Sequence, residues 1–170
     1  HGFWEENGLV TISGGKLTIF RIMAADVLNY ISGRLPGSPH FDHQDPVFEK
    51  TPDIGKPSFL NDQDWSGLIG RHGLESAKIG NYPQSELIRI QPMSNLWAEL
   101  SYSASQEAVV HLDDLLLRRV RIGLCLPNGG LKHFERIKTL VQEPLGWSES
   151  KWKVELDRYM QIWRNYYYLP

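Results

Sequence analysis

Residues 9–31, LVTISGGKLTIFRIMAADVLNYI, decide how the rest of the chain is read. Leu9, Thr11 and Ser13 alternate with Val10 and Ile12, and this short, β-branched run bounded by glycines predicts a strand. From Leu17 the period changes. Leu17, Phe20, Met23, Ala24, Val27, Leu28 and Ile31 recur at three and four residues, which predicts a helix with one buried stripe, closing near Ser32 and Gly33. Between strand and helix lies the turn Ser13-Gly14-Gly15-Lys16-Leu17-Thr18. Two residues without Cβ let a ligand sit against the backbone, with the first free N–H groups of the helix and their partial positive charge directed at it. On the residues alone, a tight turn at a helix entrance accounts for the glycine pair as well.

Working outward, residues 1–7 followed by Gly8 predict a strand end and a turn. Beyond the helix, residues 34–57 hold Pro36, Pro39, Pro46, Pro52 and Pro57, each barring helix at the residue before it, so residues 34–58 read as a connector. Within it His40, Asp42, His43 and Asp45 carry donors suited to zinc, but their spacing matches no metal motif and they read as solvated loop residues; no metal is expected. Residues 59–170 are helical in pattern. Asn61 and Asp62 cap a short helix with Trp65, Leu68 and Ile69 inward, ended by Gly70 to Gly73, and another short helix covers residues 74–79. Ser94 or Asn95 caps a helix with Leu96, Trp97 and Leu100 inward, with a break at residues 103–107. One helix is expected to carry Leu112, Leu115, Leu116, Val120 and residues 122–126, and Asp114 precedes Arg118 at i,i+4. Arg118, Arg119 and Arg121 form the densest basic group, either a solvated face or a contact for an anion or partner. After the turn at residues 127–130 comes a helix over 131–142. Ser148 caps a last helix with Trp152, Leu156, Tyr159, Met160 and Trp163 on one side.

A chain of 170 residues can bury a working core without staples, and its formal charge of −2 argues against a nucleic-acid or anionic-membrane surface as its main business. The basic residues lie on one helix of an acidic chain and show no helix-turn-helix spacing. Cys125, the single cysteine, points to a reducing compartment. No apolar run reaches the ~18 to 20 residues that span a bilayer, and His1-Gly2 begins nothing like a signal peptide. A soluble or peripheral chain is expected.

GGKLTIFR at residues 14–21 resembles the GGKLTTYR segment of the FAD-dependent glycerol-3-phosphate dehydrogenases, quinone-linked flavoproteins, with Ile19 and Phe20 replacing Thr and Tyr. WAELSYSASQEAVVHLDDLLLRRVRIGL at 97–124 is similar to a second segment of that family, with Val120 where Thr is usual, and LGWSESKWKVELDRYMQIW at 145–163 resembles its closing helix. The likeness covers residues 8–31 and 96–163. It implies a mainly α fold, a C-terminal helical bundle (59–170) preceded by a strand-helix remnant of an FAD-binding domain (1–33). Because an isolated strand leaves N–H and C=O groups unpaired, the partners of residues 9–13 are expected in preceding polypeptide, and the chain reads as the C-terminal piece of a longer protein.

The reaction implied is oxidation of sn-glycerol 3-phosphate to dihydroxyacetone phosphate, with electrons passing to FAD and then to quinone. The resemblance assigns FAD binding to Gly14, Gly15, Lys16, Leu17 and Thr18, whose N–H groups suit the charge of a reduced flavin. The Lys16 side chain adds a cation there, reaches the substrate phosphate, or is an exposed first-turn lysine. No catalytic residue is assigned. The chain has no G-x-G-x-x-G fingerprint, so by itself it is expected neither to bind FAD tightly nor to turn over. The expected partners are the FAD domain of the parent chain, glycerol 3-phosphate and a quinone, with room for a homo-oligomer and none for nucleic acid. The expected location is cytoplasmic, at the inner face of the cell membrane if peripheral. From a different class comes the alternative of a non-catalytic helical cap or protein-interaction module over residues 59–170.

Overall fold

The computed structural model describes residues 1–37, 46, 50 and 53–168. The chain forms two compact units, His1–Lys50 and Thr51–Pro170. His40, Asp42, His43 and Asp45 lie outside the described residues.

In the first unit β1 (Gly2–Glu6) and β2 (Leu9–Ser13) pair antiparallel, Gly2 opposite Ser13 and Glu6 opposite Leu9. Asn7 and Gly8 join them with φ of 53° and 80°, the two left-handed residues of a tight hairpin turn whose twist matches the strands. The expectation that residues 9–13 must find their partner in preceding polypeptide is thereby corrected: β1 supplies it. A single turn of 3-10 helix at Leu17–Ile19 leads into α1 (Phe20–Ile31), so the regular helix begins three residues later than its period suggests.

The hairpin lies on one face of α1. Phe3 packs against Tyr30 with ring centres 5.0 Å apart, and Tyr30 donates to Glu5 at 2.9 Å. Arg34 grips the same carboxylate with two hydrogen bonds of 2.8 and 2.7 Å, and His1 Nε2 stands 2.7 Å from Asp26. The arginine, then the tyrosine hydroxyl, hold the Glu5 carboxyl below its ordinary range. These contacts use the Asp26 and Tyr30 side of α1 and leave the opposite side uncovered. The apolar stripe is therefore only partly covered: Leu17 is 88% exposed and Phe20 53%, Met23, Val27, Leu28 and Ile31 are half-buried, and only Ala25 of α1 is fully buried.

The second unit is all helix. Asn61 caps α2 (Asp62–His72), its side chain accepting from Asp64 N–H at 2.8 Å, and Gly73 ends it at φ 56°. A 3-10 turn and α3 (Ser76–Ile79) follow. α4 (Trp97–Gln106) is the centrepiece: every residue from Trp97 to Ala104 is buried, which a helix shows only with packing all round it. On one side Trp97, Leu100 and Ala104 join Leu112, Leu116, Ile137, Trp152 and Tyr159; on the other Ala98 and Tyr102 join Trp65, Leu68, Ile79 and Leu87. The break expected within residues 103–107 falls at its end: α4 runs through Gln106, with Ser103 and Ala104 buried, and Glu107 leaves the helix in an extended conformation.

The single helix expected over residues 112–126 is interrupted. Asp114–Arg119 winds as a π-helix, with Val120 N–H reaching Leu115 C=O, and Arg121 takes a left-handed conformation at φ 61° before α5 (Ile122–Cys125). Gly123 explains the tight passage: a Cβ there would stand 2.2 Å from the Tyr159 hydroxyl and 3.0 Å from Leu116 C=O. The helix expected from 131 starts at Phe134, since Asn128, Gly129 and Gly130 are left-handed and Pro127–His133 forms 3-10 turns ahead of α6 (Phe134–Val141). Ser148 caps α7 (Glu149–Tyr166) by accepting from Lys151 N–H, and Trp152, Tyr159 and Trp163 of α7 are buried as their spacing requires. Among the described residues no helix is long and apolar enough to cross a membrane.

Candidate functional site

The glycine turn is built by the end of β2 and the start of the 3-10 turn. Gly14 and Gly15 adopt φ of 81° and 86°, a conformation other residues seldom take. Their bare Cα atoms serve different ends. A Cβ on Gly15 would meet Met23 Sδ at 2.6 Å and Ile19 Cδ1 at 3.1 Å, so that glycine lets α1 close onto the turn. Gly14 is less crowded: a Cβ there would stand 3.6 Å from His1 Cα, in ordinary van der Waals contact.

Lys16 is extended and its C=O accepts the first hydrogen bond of the helix, from Ile19 N–H at 3.0 Å. The N–H groups of Lys16, Leu17 and Thr18 have no backbone partner among the described residues, and all three residues are exposed. Beside them opens an apolar cavity of about 700 Å³ walled by Ile12, Gly14, Lys16, Leu17, Phe20 and the Met23 to Leu28 side of α1. Gly14, Gly15, Lys16 and Leu17, singled out from sequence, thus line one cavity; Thr18 stands at the same turn but not on its wall. Free donors at the rim of an apolar wall suit a flat, largely apolar group with one electron-rich edge.

A second constellation, in residues 71–99, escaped the sequence reading. Glu99, at the third position of α4, accepts from the Leu96 N–H at 2.7 Å, which makes Leu96, not Ser94 or Asn95, the cap residue. The same carboxylate takes two bonds of 2.8 Å from Arg71, and His72 Nε2 and Asn95 Nδ2 lie 2.9 and 3.2 Å away. Burial pushes the Glu99 carboxyl up, but His72, Arg71 and the Leu96 N–H together outweigh it and hold the group below the ordinary range. Its signal in the sequence was an acid inside the apolar run LWAEL. Glu155 repeats the pattern on α7: desolvation is outweighed by Lys151, His111 and the Leu112 N–H. Asp113 is held from two sides by Arg118 and Arg158, and Asp114 takes Arg118 at 3.1 Å as the i,i+4 spacing requires. Among the described residues no group of three or more His, Cys, Asp or Glu is placed to hold a metal ion.

The profile of the family described as the C-terminal domain of alpha-glycerophosphate oxidase matches residues 40–152. Glycerol-3-phosphate dehydrogenase 2 of Mycobacterium tuberculosis is 27% identical over 90% of this chain and 29% of its own length. Glycerol-3-phosphate dehydrogenase 1 of the same organism is 32% identical over 72% of this chain and 25% of its own. The aerobic glycerol-3-phosphate dehydrogenase of Staphylococcus aureus is 28% identical over 68% of this chain and 25% of its own. The chain thus spans under a third of the length of these relatives. No solved structure matches it. With the profile covering about two thirds of a mainly α chain, this protein belongs to the family of C-terminal domains of alpha-glycerophosphate oxidase.

Proposed function

We propose that this chain is the C-terminal part of an FAD-dependent glycerol-3-phosphate dehydrogenase, in which the glycine turn completes one edge of the flavin site. The observation that carries the reading is the turn itself: the N–H groups of Lys16, Leu17 and Thr18 have no backbone partner among the described residues, and Lys16 and Leu17 line an open apolar cavity. The residues present fit that edge of the cofactor, because the donors answer an electron-rich ring edge and the Ile12, Leu17 and Phe20 wall answers its apolar face. A flavin bound there would accept a hydride equivalent from sn-glycerol 3-phosphate and pass electrons on to a quinone. This chain's own part is narrower. Its amides stabilise negative charge at the ring edge, Lys16 supplies a cation on the same wall, and the uncovered side of α1 packs against the polypeptide that holds the rest of the cofactor.

That division explains why the chain alone should be inert. No nucleotide fingerprint is present in the sequence to hold adenine, ribose or pyrophosphate, and an open wall excludes no water. Isothermal titration with FAD separates the cases. The chain by itself is expected to show no micromolar binding, whereas the gene product including any preceding polypeptide should bind FAD stoichiometrically and oxidise glycerol 3-phosphate. Micromolar binding by the chain alone, or a longer product that binds no FAD, would overturn the reading.

A further inference from the structure

Four arginines, Arg71, Arg118, Arg119 and Arg121, and two glutamates, Glu99 and Glu107, are among the described residues that line one cavity of about 510 Å³ in the helical unit. Both carboxylates are already engaged. Glu99 is saturated by Arg71 and its neighbours, and Glu107 stands 3.9 Å from Arg119 Nε. Arg118 contacts Asp113 and Asp114 through one terminal nitrogen, and Asp113 is shared with Arg158. Arg119 spends one terminal nitrogen on the Ala108 carbonyl. Arg121 has no hydrogen-bond or ion-pair partner among the described residues.

The backbone that presents Arg121 is unusual as well. The π-turn closed by Val120 N–H on Leu115 C=O delivers Arg121 into a left-handed conformation, φ 61° and ψ 13°, where residues with side chains are uncommon. A glycine or asparagine would suit that position better for folding alone. An unpartnered arginine on a strained residue, beside a second with donors to spare, is the donor set whose guanidinium forks bind pairs of phosphate oxygens in bidentate fashion.

We infer that this cavity binds a small phosphate-type dianion, gripped by Arg119 and Arg121 with Arg118 at its edge, while the Glu99 pair fixes Arg71 as the far wall. The cavity lies within residues 71–125, so its test is separable from the flavin reading. Titration calorimetry of the full chain with inorganic phosphate, at constant ionic strength set by chloride, is expected to show one saturable site in the millimolar range. Arg121→Gln and Arg119→Gln should each weaken it about tenfold, and Arg164→Gln, in a different cavity, should not. Arg121→Gly should lose the anion yet melt no lower than the parent, which separates binding from folding. Parallel titrations with sn-glycerol 3-phosphate and glycerol identify the source: tighter binding of the ester assigns the site to a polyol phosphate, equal binding to free phosphate. Absence of saturable phosphate binding, or equal binding by the parent and both glutamine variants, overturns the inference.

Discussion

Glu99 and Arg71 meet through two hydrogen bonds of 2.8 Å although Glu99 is only 1% exposed. The pair fastens α2 to the first turn of α4, the helix that separates the two hydrophobic clusters. Truncating Glu99→Ala strands Arg71, His72 and the Leu96 N–H together, and a loss of about 3 to 5 kcal/mol is expected. Glu99→Gln retains the shape and part of the bonding and should cost about 1 to 3 kcal/mol. Urea unfolding checks both, with the midpoint falling and the slope unchanged.

The acid limb of stability follows from the same carboxylates. Glu99 and Glu155 are both held below the ordinary carboxyl range in the folded chain. A group depressed on folding stabilises above its unfolded pKa, roughly 4.3 for Glu, and that contribution disappears as pH falls through the lower folded value. Stability should therefore drop steeply below about pH 4. The Glu155→Gln protein should start less stable at neutral pH and lose less on acidification, as thermal melts at several pH values would show.

Gly123 is expected to tolerate nothing larger. Its bare Cα admits the Tyr159 hydroxyl, which donates to Gly129 C=O at 2.7 Å. Gly123→Ala should cost about 1 to 3 kcal/mol through overpacking. Because Tyr159→Phe removes the clashing oxygen, the double variant should be more stable than the sum of the singles by about 0.5 kcal/mol or more. Additive losses in the denaturation cycle would contradict the contact.

Lys16 lines the apolar cavity from the glycine turn. In the FAD-containing gene product, Lys16→Met is expected to lower kcat/KM for glycerol 3-phosphate about tenfold or more. A loss carried by KM assigns the ammonium to the substrate phosphate, and a fall in flavin potential assigns it to the ring. Unchanged kinetics and potential would leave Lys16 an ordinary exposed lysine.

Local signals were legible where one residue suffices to set the structure. β2, α1, the caps at Asn61 and Ser148 and the inward face of α7 all follow from spacing and side-chain chemistry. Periodicity also showed that α1 has an apolar face. It does not say what covers that face, and the hairpin chose the other one because Tyr30, Asp26 and Arg34 had polar partners on β1 and at His1. The left-handed Arg121 was illegible because nothing in RRVRIGL marks a break, and the close approach of Tyr159 to Gly123 two residues on is a tertiary contact that no local spacing announces. Glu99 read as one acid in an apolar run, and its partners stand 27 and 28 residues away. The turn at residues 14–18 was recognisable from its glycine pair, but the close approach of Met23 to Gly15, which leaves no room for a Cβ there, is revealed only by the packing.

Hydrogen exchange, read by mass spectrometry at the amides of Lys16, Leu17 and Thr18, reports most directly on whether this turn faces the flavin. In the longer gene product, adding FAD is expected to slow exchange at these three positions by an order of magnitude or more, with no change in α4, and the isolated chain should show no effect. Stoichiometric FAD binding that leaves the three amides exchanging at their unliganded rate would contradict the placement.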